Sequence, residues 1–382
     1  MTRPILILTA GFGEGHNAAA RALAAAVERT LGPGTAHVAD AFALASPRAH
    51  HATRRFYLAL INDAPRLWST VYDWIDRTQF LQRRLWLFRR EIRTLASLIE
   101  TDPPLAICCT YPLYGFFLEH LASLRGEHLP TFNVVTDSIS IHSLWWRARC
   151  DGWFLPNPDS ADVLRAVGIP DDALHVRGFP VPAFFAQHAG RLSPPDLATG
   201  ARPRVLHLIN SGLHHAFETA RLLLEETNWE ITCAVGHDSR LRQRLERLAA
   251  RRPHPTTILG WTDRIPHLLM THHVAVSKAG GATTQEAIAA LCPLVINQVV
   301  PGQEEGNYDL LRRHRAGAFA PTPHAVLTTL QTAFAQHGRL WREWRAALRP
   351  LARPNAADDI ARHVLAFAQR RTMPARNPVS SR

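Results

Sequence analysis

The sequence predicts an α/β protein built as two similar halves, each a mostly parallel sheet wrapped by helices. Three observations carry that expectation. Ile5 to Thr9, Leu105 to Cys109 and, apart from His207, Val205 to Ile209 are apolar without alternation, as strands covered on both faces are. Each half opens with such a strand, a turn rich in small residues and a helix-like segment, and the alternation then repeats. Between the two series lies a polar stretch carrying Pro194, Pro195, Gly200 and Pro203, the composition of a connection. The expected division is 1–182 for the first domain, 183–203 for a linker and hinge, 204–370 for the second domain, and 371–382 for a disordered tail. At 382 residues the chain is long enough for two such cores.

Composition narrows the partners. Lys278 is the only lysine among 43 basic side chains, so arginine supplies the other 42, and the formal net charge is +11. Such a surface attracts an anionic membrane or a nucleic acid. Arginines gather between Arg54 and Arg93 and in the tail, away from the glycine turns, and no helix-turn-helix or RNP pattern occurs. No nucleic-acid partner is expected. The five cysteines contain no C-x-x-C pair and suit a reducing, cytoplasmic compartment. No run reaches the ~18 apolar residues of a spanning helix, so any membrane contact should be peripheral, on the inner face of the plasma membrane.

Along the chain, the first strand runs into G-F-G-E-G-H. This is neither the G-x-G-x-x-G dinucleotide fingerprint nor a Walker A loop. His16 falls at a helix start, where the positive end of the dipole disfavours its charged form and leaves an imidazole able to take a proton. Leu81, Leu85, Phe88, Ile92 and Leu95 recur at helical spacing with Arg83, Arg90 and Arg93 opposite, an amphipathic basic helix suited either to a core or to a headgroup layer. Leu105 to Cys109 leads to T-Y-P, and Phe132 to Thr136 to T-D-S-I-S-I-H-S-L-W-W. Strand carboxyl ends bind ligands in open α/β sheets, so Asp137, His142 and Trp145 are expected to share a cleft with His16.

In the second half, Asn210, Ser211 and Gly212 offer phosphate donors where a helix starts. Val274 to Val276 leads to Gly280-Gly281 and another helix start, where free N–H groups favour an anion. Glu286, one turn on, is placed to accept both hydroxyls of a ribose, and P-G-Q-E-E-G-N adds further hydroxyl-binding groups. Together these describe a nucleotide-sugar pocket. No D-x-D pair occurs, so neither a metal nor another cofactor is indicated.

S-K-A-G-G-A-T-T-Q-E followed by G-Q-E-E-G-N, with G-E-G-H and T-D-x4-H-x2-W upstream, resembles the glycosyltransferases that include monogalactosyldiacylglycerol synthases, processive diacylglycerol glucosyltransferases and the lipid II-forming N-acetylglucosaminyltransferase. The resemblance runs from Ile5 to about Arg312. It implies a GT-B fold, two Rossmann-like domains facing across a hinge, and inverting transfer of a hexose from a UDP-sugar to diacylglycerol. His16 would be the base and Asp137 its charge partner. Gly15, Tyr111, Pro112, His142 and Trp145 would meet the acceptor. Ser211, Gly212, Ile265, Ala279, Gly280, Gly281, Thr283, Glu286, Gln303 and Glu304 would hold the donor. A polyprenol-linked acceptor is the alternative within this class, and a hydrolysing UDP-sugar 2-epimerase shares the same plan.

Overall fold

The structure is a computed structural model that describes residues 4–63, 70, 74–209, 215–226, 228–302 and 304–372. Strands β1 (Ile5–Leu8), β2 (Ala36–Ala39), β3 (Ala106–Cys109), β4 (Thr131–Val134), β5 (Gly152–Leu155) and β6 (Leu174–Val176) form a parallel sheet in the order β2-β1-β3-β4-β5-β6. Strands β7 (Arg204–Leu208), β8 (Glu230–Ala234), β9 (Thr256–Leu259), β10 (Val274–Lys278), β11 (Leu294–Gln298) and β12 (Gly317–Phe319) form a second, in the order β12-β11-β10-β7-β8-β9. Every residue of β1, β3, β4 and β5 is buried, which is why β1 and β3 read as unbroken apolar runs, while β4 buries Thr131 and Asn133 as well. The strand order reverses between β1 and β3 in the first sheet and between β7 and β10 in the second. Crevices for ligands open at the carboxyl ends of strands at such reversals.

Six helices frame the cleft or support its walls: α1 (Glu14–Leu31), α2 (Arg89–Thr101), α3 (Pro158–Ala166), α4 (Gly281–Ala289), α5 (Glu305–Arg313) and α6 (Ala356–Thr372). Alanine-rich α1 lies close on its sheet, packing Ala20, Leu23, Ala26 and Val27 beside Ile5, Ile7, Phe132 and Phe154. Ala19, on the same helix, joins Ala279, Ala287 and Ile288 in a core belonging to the second half. The apolar interior is therefore continuous between the halves.

Three sequence expectations change. The helix from Ala356, expected to close the second domain, packs Ala357, Ile360, Ala361 and Val364 into the core of the first sheet, against the same strands as α1. It lies beside α1 on the same face of that sheet. The stretch 183–203 is not an open linker: Phe185 is fully buried in one core of the second half and Leu197 nearly so in the other. The stripe from Leu81 to Leu95 is not one helix either. Gln79 in the left-handed region and Arg84 at φ −126° and ψ 44° divide it into Phe80–Arg83, a 3-10 turn Leu85–Phe88, and α2. Ile92 and Leu95 are buried, and Leu81, Leu85 and Phe88 pack against the same core. The stripe faces inward because its neighbours there are Phe42, Leu113 and Phe117. Exposure passes instead to Trp86 and Leu87, at 58% and 46%. The tail expected to be disordered falls, from residue 373 on, outside the described residues.

The carboxyl ends of the two sheets meet. Gln285 of α4 donates to Ser138 Oγ at 3.0 Å, and Asp159 of α3 pairs with His314 at 3.0 Å, just past the end of α5. Gly306 in α5 lies so close to the loop after β4 that a Cβ there would sit 1.7 Å from the Ser138 carbonyl oxygen. Only glycine fits.

Candidate active site

His16 is in the first turn of α1, entered from Gly13 with extended backbone and no side-chain cap. Its Nδ1 lies 2.7 Å from the Thr110 carbonyl oxygen, at the end of β3, and 2.9 Å from Thr136 Oγ1, just after β4. A carbonyl oxygen accepts only, so Nδ1 carries the proton and donates it. The neutral ring then presents an unprotonated Nε2, which is the form a general base requires. Burial lowers the pKa of His16 to about 4, with the bond to Thr110 opposing the shift. The sequence points to the helix dipole as the cause of a neutral ring, and the structure adds burial. Tyr111 stands edge-on to the imidazole at 5.2 Å between ring centres.

Asp137 follows Thr136 and accepts from Trp145 Nε1 at 2.6 Å. Burial raises its pKa to about 6, against the opposing effect of that bond. Among the described residues no hydrogen bond joins Asp137 to His16, so the imidazole is oriented by Thr110 and Thr136. Trp145, expected to hold the acceptor, is fully buried in the core beneath this loop and serves as the strut for Asp137. Its ring centre is 6.3 Å from that of His16. His142, also placed on the acceptor side, is 6% exposed: its Nδ1 accepts from Leu144 N at 3.1 Å and lies 3.3 Å from Asp76. It holds the turn into the tryptophans. Pro112 is buried as well. Gly15 does reach the cleft, since a Cβ on it would lie 3.9 Å from Ala282 N across the junction.

On the other side, β10 ends at Lys278, Gly280 holds an extended conformation as the cap of α4, and a Cβ on Gly281 would come within 3.5 Å of the Thr136 carbonyl oxygen. The glycine turn and the His16 pocket are therefore walls of one cleft. Asn307 Nδ2 donates to the Ala279 carbonyl at 3.0 Å and so fixes the turn from α5. The Glu286 carboxylate accepts no hydrogen bond from any described residue, and burial pushes its pKa up to about 7, Arg21 opposing. Thr283 and Ile265 are half-buried at their helix starts. Glu304, expected to meet sugar hydroxyls, has both oxygens engaged within its own half: Lys278 Nζ at 2.5 Å and Val300 N at 3.0 Å. Ser211, Gly212 and Gln303 lie outside the described residues.

Sequence reading missed Thr110, Thr136 and Lys278. Thr110 acts through its backbone, which leaves no trace in residue type. Lys278 did have a signal, as the one lysine of an arginine-rich chain, and it stands at the glycine turn.

Residues 16–181 match the family model described as monogalactosyldiacylglycerol (MGDG) synthase. The chain is 24% identical over 366 residues to a processive diacylglycerol beta-glucosyltransferase of Bacillus licheniformis, covering 94% of both chains. It is 23% identical over 366 residues to one of Bacillus cereus, covering 95% of this chain and 93% of the relative. Among solved structures it is similar to MurG of Acinetobacter baumannii, with a TM-score of 0.61 and 13% identity over 95% of this chain and 99% of that one. The S. aureus MnaA–UDP structure gives a TM-score of 0.58 and 12% identity over 99% of both. At these identities the structural likeness speaks to the fold.

The tautomer of His16 is directly measurable. In a pH titration followed by ¹⁵N shifts, His16 should stay neutral and protonated at Nδ1 from pH 7 down to near pH 5, charging only as the pH approaches its pKa of about 4. A midpoint near 6.5, or a proton on Nε2 at neutral pH, would contradict the assignment.

Proposed function

We propose that this chain, a GT-B UDP-sugar glycosyltransferase related to the monogalactosyldiacylglycerol synthases and the processive diacylglycerol glucosyltransferases, moves a hexose from a UDP-sugar to diacylglycerol with inversion at the anomeric carbon. The observation that carries the mechanism is the pinned imidazole. With Nδ1 committed to Thr110, Nε2 takes the proton of the lipid hydroxyl as its oxygen attacks the anomeric carbon. The bond from that carbon to the β-phosphate oxygen breaks, and its electron pair leaves with UDP. General-base help of this kind contributes ~10²–10⁴-fold. A ring that resists protonation needs support for the imidazolium that forms. Asp137, anionic above about pH 6, supplies a negative charge in the adjoining loop. Glu286 takes the ribose hydroxyls, and the N–H groups at Gly280 and Gly281 face the diphosphate.

The test is transfer itself. Purified protein given diacylglycerol vesicles and a panel of UDP-hexoses should yield a lipid heavier by one or more hexose units in mass analysis. His16→Ala should lower that rate at least a hundredfold while binding UDP as the parent does. Free sugar with no glycolipid would instead support a hydrolytic reading, and activity above a tenth of the parent in His16→Ala would remove the base.

The acceptor reaches the site from an anionic membrane surface on the cytoplasmic side. Trp86 and Leu87 stand exposed in a 3-10 turn bracketed by exposed Arg83, Arg84, Arg89 and Arg90, apolar tips amid cations at the first-half surface. Each arginine near such a surface contributes ~1 kcal/mol. Changing the four arginines to Gln, or Trp86 and Leu87 to Ser, should release the protein from phosphatidylglycerol vesicles in sedimentation without altering UDP affinity. Unchanged sedimentation of both variants would move the contact elsewhere.

A further inference from the structure

In a chain where arginine fills every other basic position, the single lysine stands at the junction of β10 and the glycine turn. Lys278 Nζ lies 2.5 Å from Glu304 Oε1, and the other carboxylate oxygen of Glu304 is tied to Val300 N at 3.0 Å. The pair is only partly open to solvent, with side-chain exposures of 25% for Lys278 and 8% for Glu304. Its place relative to the turn is tight. A Cβ on Gly280 would meet Lys278 Cε at 3.5 Å and Glu304 Oε1 at 3.7 Å. An ammonium is a compact point charge suited to so close a place, whereas a guanidinium is planar and larger. One of its three donors goes to Glu304 and two remain. Three buried side-chain oxygens of the same neighbourhood, Ser277 Oγ, Thr284 Oγ1 and Asn307 Oδ1, have no hydrogen-bond partner among the described residues.

We infer that Lys278 is a catalytic residue that contacts the diphosphate of the donor and neutralises the charge released on the leaving UDP, and that Glu304 is its positioning residue rather than a ligand of the sugar. The inference rests on the UDP-sugar reading above and deepens it. During transfer the electron pair of the broken bond between the anomeric carbon and oxygen comes to rest on the β-phosphate, while the hydroxyl proton goes to His16. The leaving group thus gains one negative charge beside Gly280. With no metal pair indicated by the sequence, a fixed cation at the turn adds to the backbone N–H groups there. Glu304 keeps the ammonium over the turn.

The uniqueness of the lysine gives the test. Acetylation of the intact protein by an N-hydroxysuccinimide ester, mapped by mass spectrometry, reports one lysine side chain. Saturating UDP should slow modification of Lys278 at least tenfold, and saturating uridine should not. By calorimetry, Lys278→Met should lose at least tenfold in UDP affinity with uridine affinity unchanged, and its transfer rate should fall in kcat. Equal modification rates with and without UDP would overturn the inference, as would equal protection by uridine, or equal affinity losses for both ligands in the variant. If the parent protein bound neither UDP nor uridine, the donor reading itself would fall, and this inference with it.

Discussion

One hydrogen bond organises the site: His16 Nδ1–H to the Thr110 carbonyl oxygen, at the point where the first sheet reverses its strand order. It joins the turn after β1 to the turn after β3. A backbone carbonyl offers no second role, so this bond decides the tautomer without any titrating partner. Burial then keeps the ring neutral, and Thr136 Oγ1 closes on the same nitrogen from β4. Three strand ends thus determine the direction in which the free Nε2 lone pair points. Asp137, one residue beyond Thr136, is tied to Trp145 Nε1 and makes no direct bond to His16 among the described residues.

The loop that carries Thr136 and Asp137 also ties the two halves together. Ser138 accepts from Gln285, the residue before Glu286, and its carbonyl meets Gly306 in the helix that carries Asn307. Ile139, next along, has φ 57°, uncommon and strained for a β-branched residue, and packs into a core of the second half. Its amide is held by Ser160 Oγ at 3.1 Å. Strain of this kind persists where surrounding contacts over-determine the backbone. Here those contacts come from both sheets, so the spacing between His16 and the glycine turn is built from one continuous set of packed loops.

Much of this was legible in the chain. Strands buried on both faces announce themselves as unbroken apolar runs, and glycine turns after β1 and β10 mark where a backbone must approach closely. Periodicity was less informative wherever it could not say what a face packs against. The Leu81 to Leu95 spacing is real, yet Phe42, Leu113 and Phe117 supply a core for it, and the exposed apolar residues fall between its members. The helix from Ala356 has a good apolar face, but nothing local assigns that face to the first sheet over the second. The strand end and the T-D-x4-H-x2-W pattern point to Trp145 and His142 as acceptor-side groups. Tertiary packing buries both and leaves the orienting work to Thr136 and a backbone oxygen.

The central claim is that a neutral His16 Nε2 removes the acceptor proton in a single displacement at the anomeric carbon, with no covalent sugar intermediate. The stereochemistry of the product tests it most directly. Starting from an α-linked UDP-hexose, the anomeric proton of the purified glycolipid should show the large coupling constant of a β-linkage in ¹H NMR for a gluco- or galacto-configured sugar. An α-linked product would mean retention, which a single displacement assisted by His16 does not give, and would contradict the account.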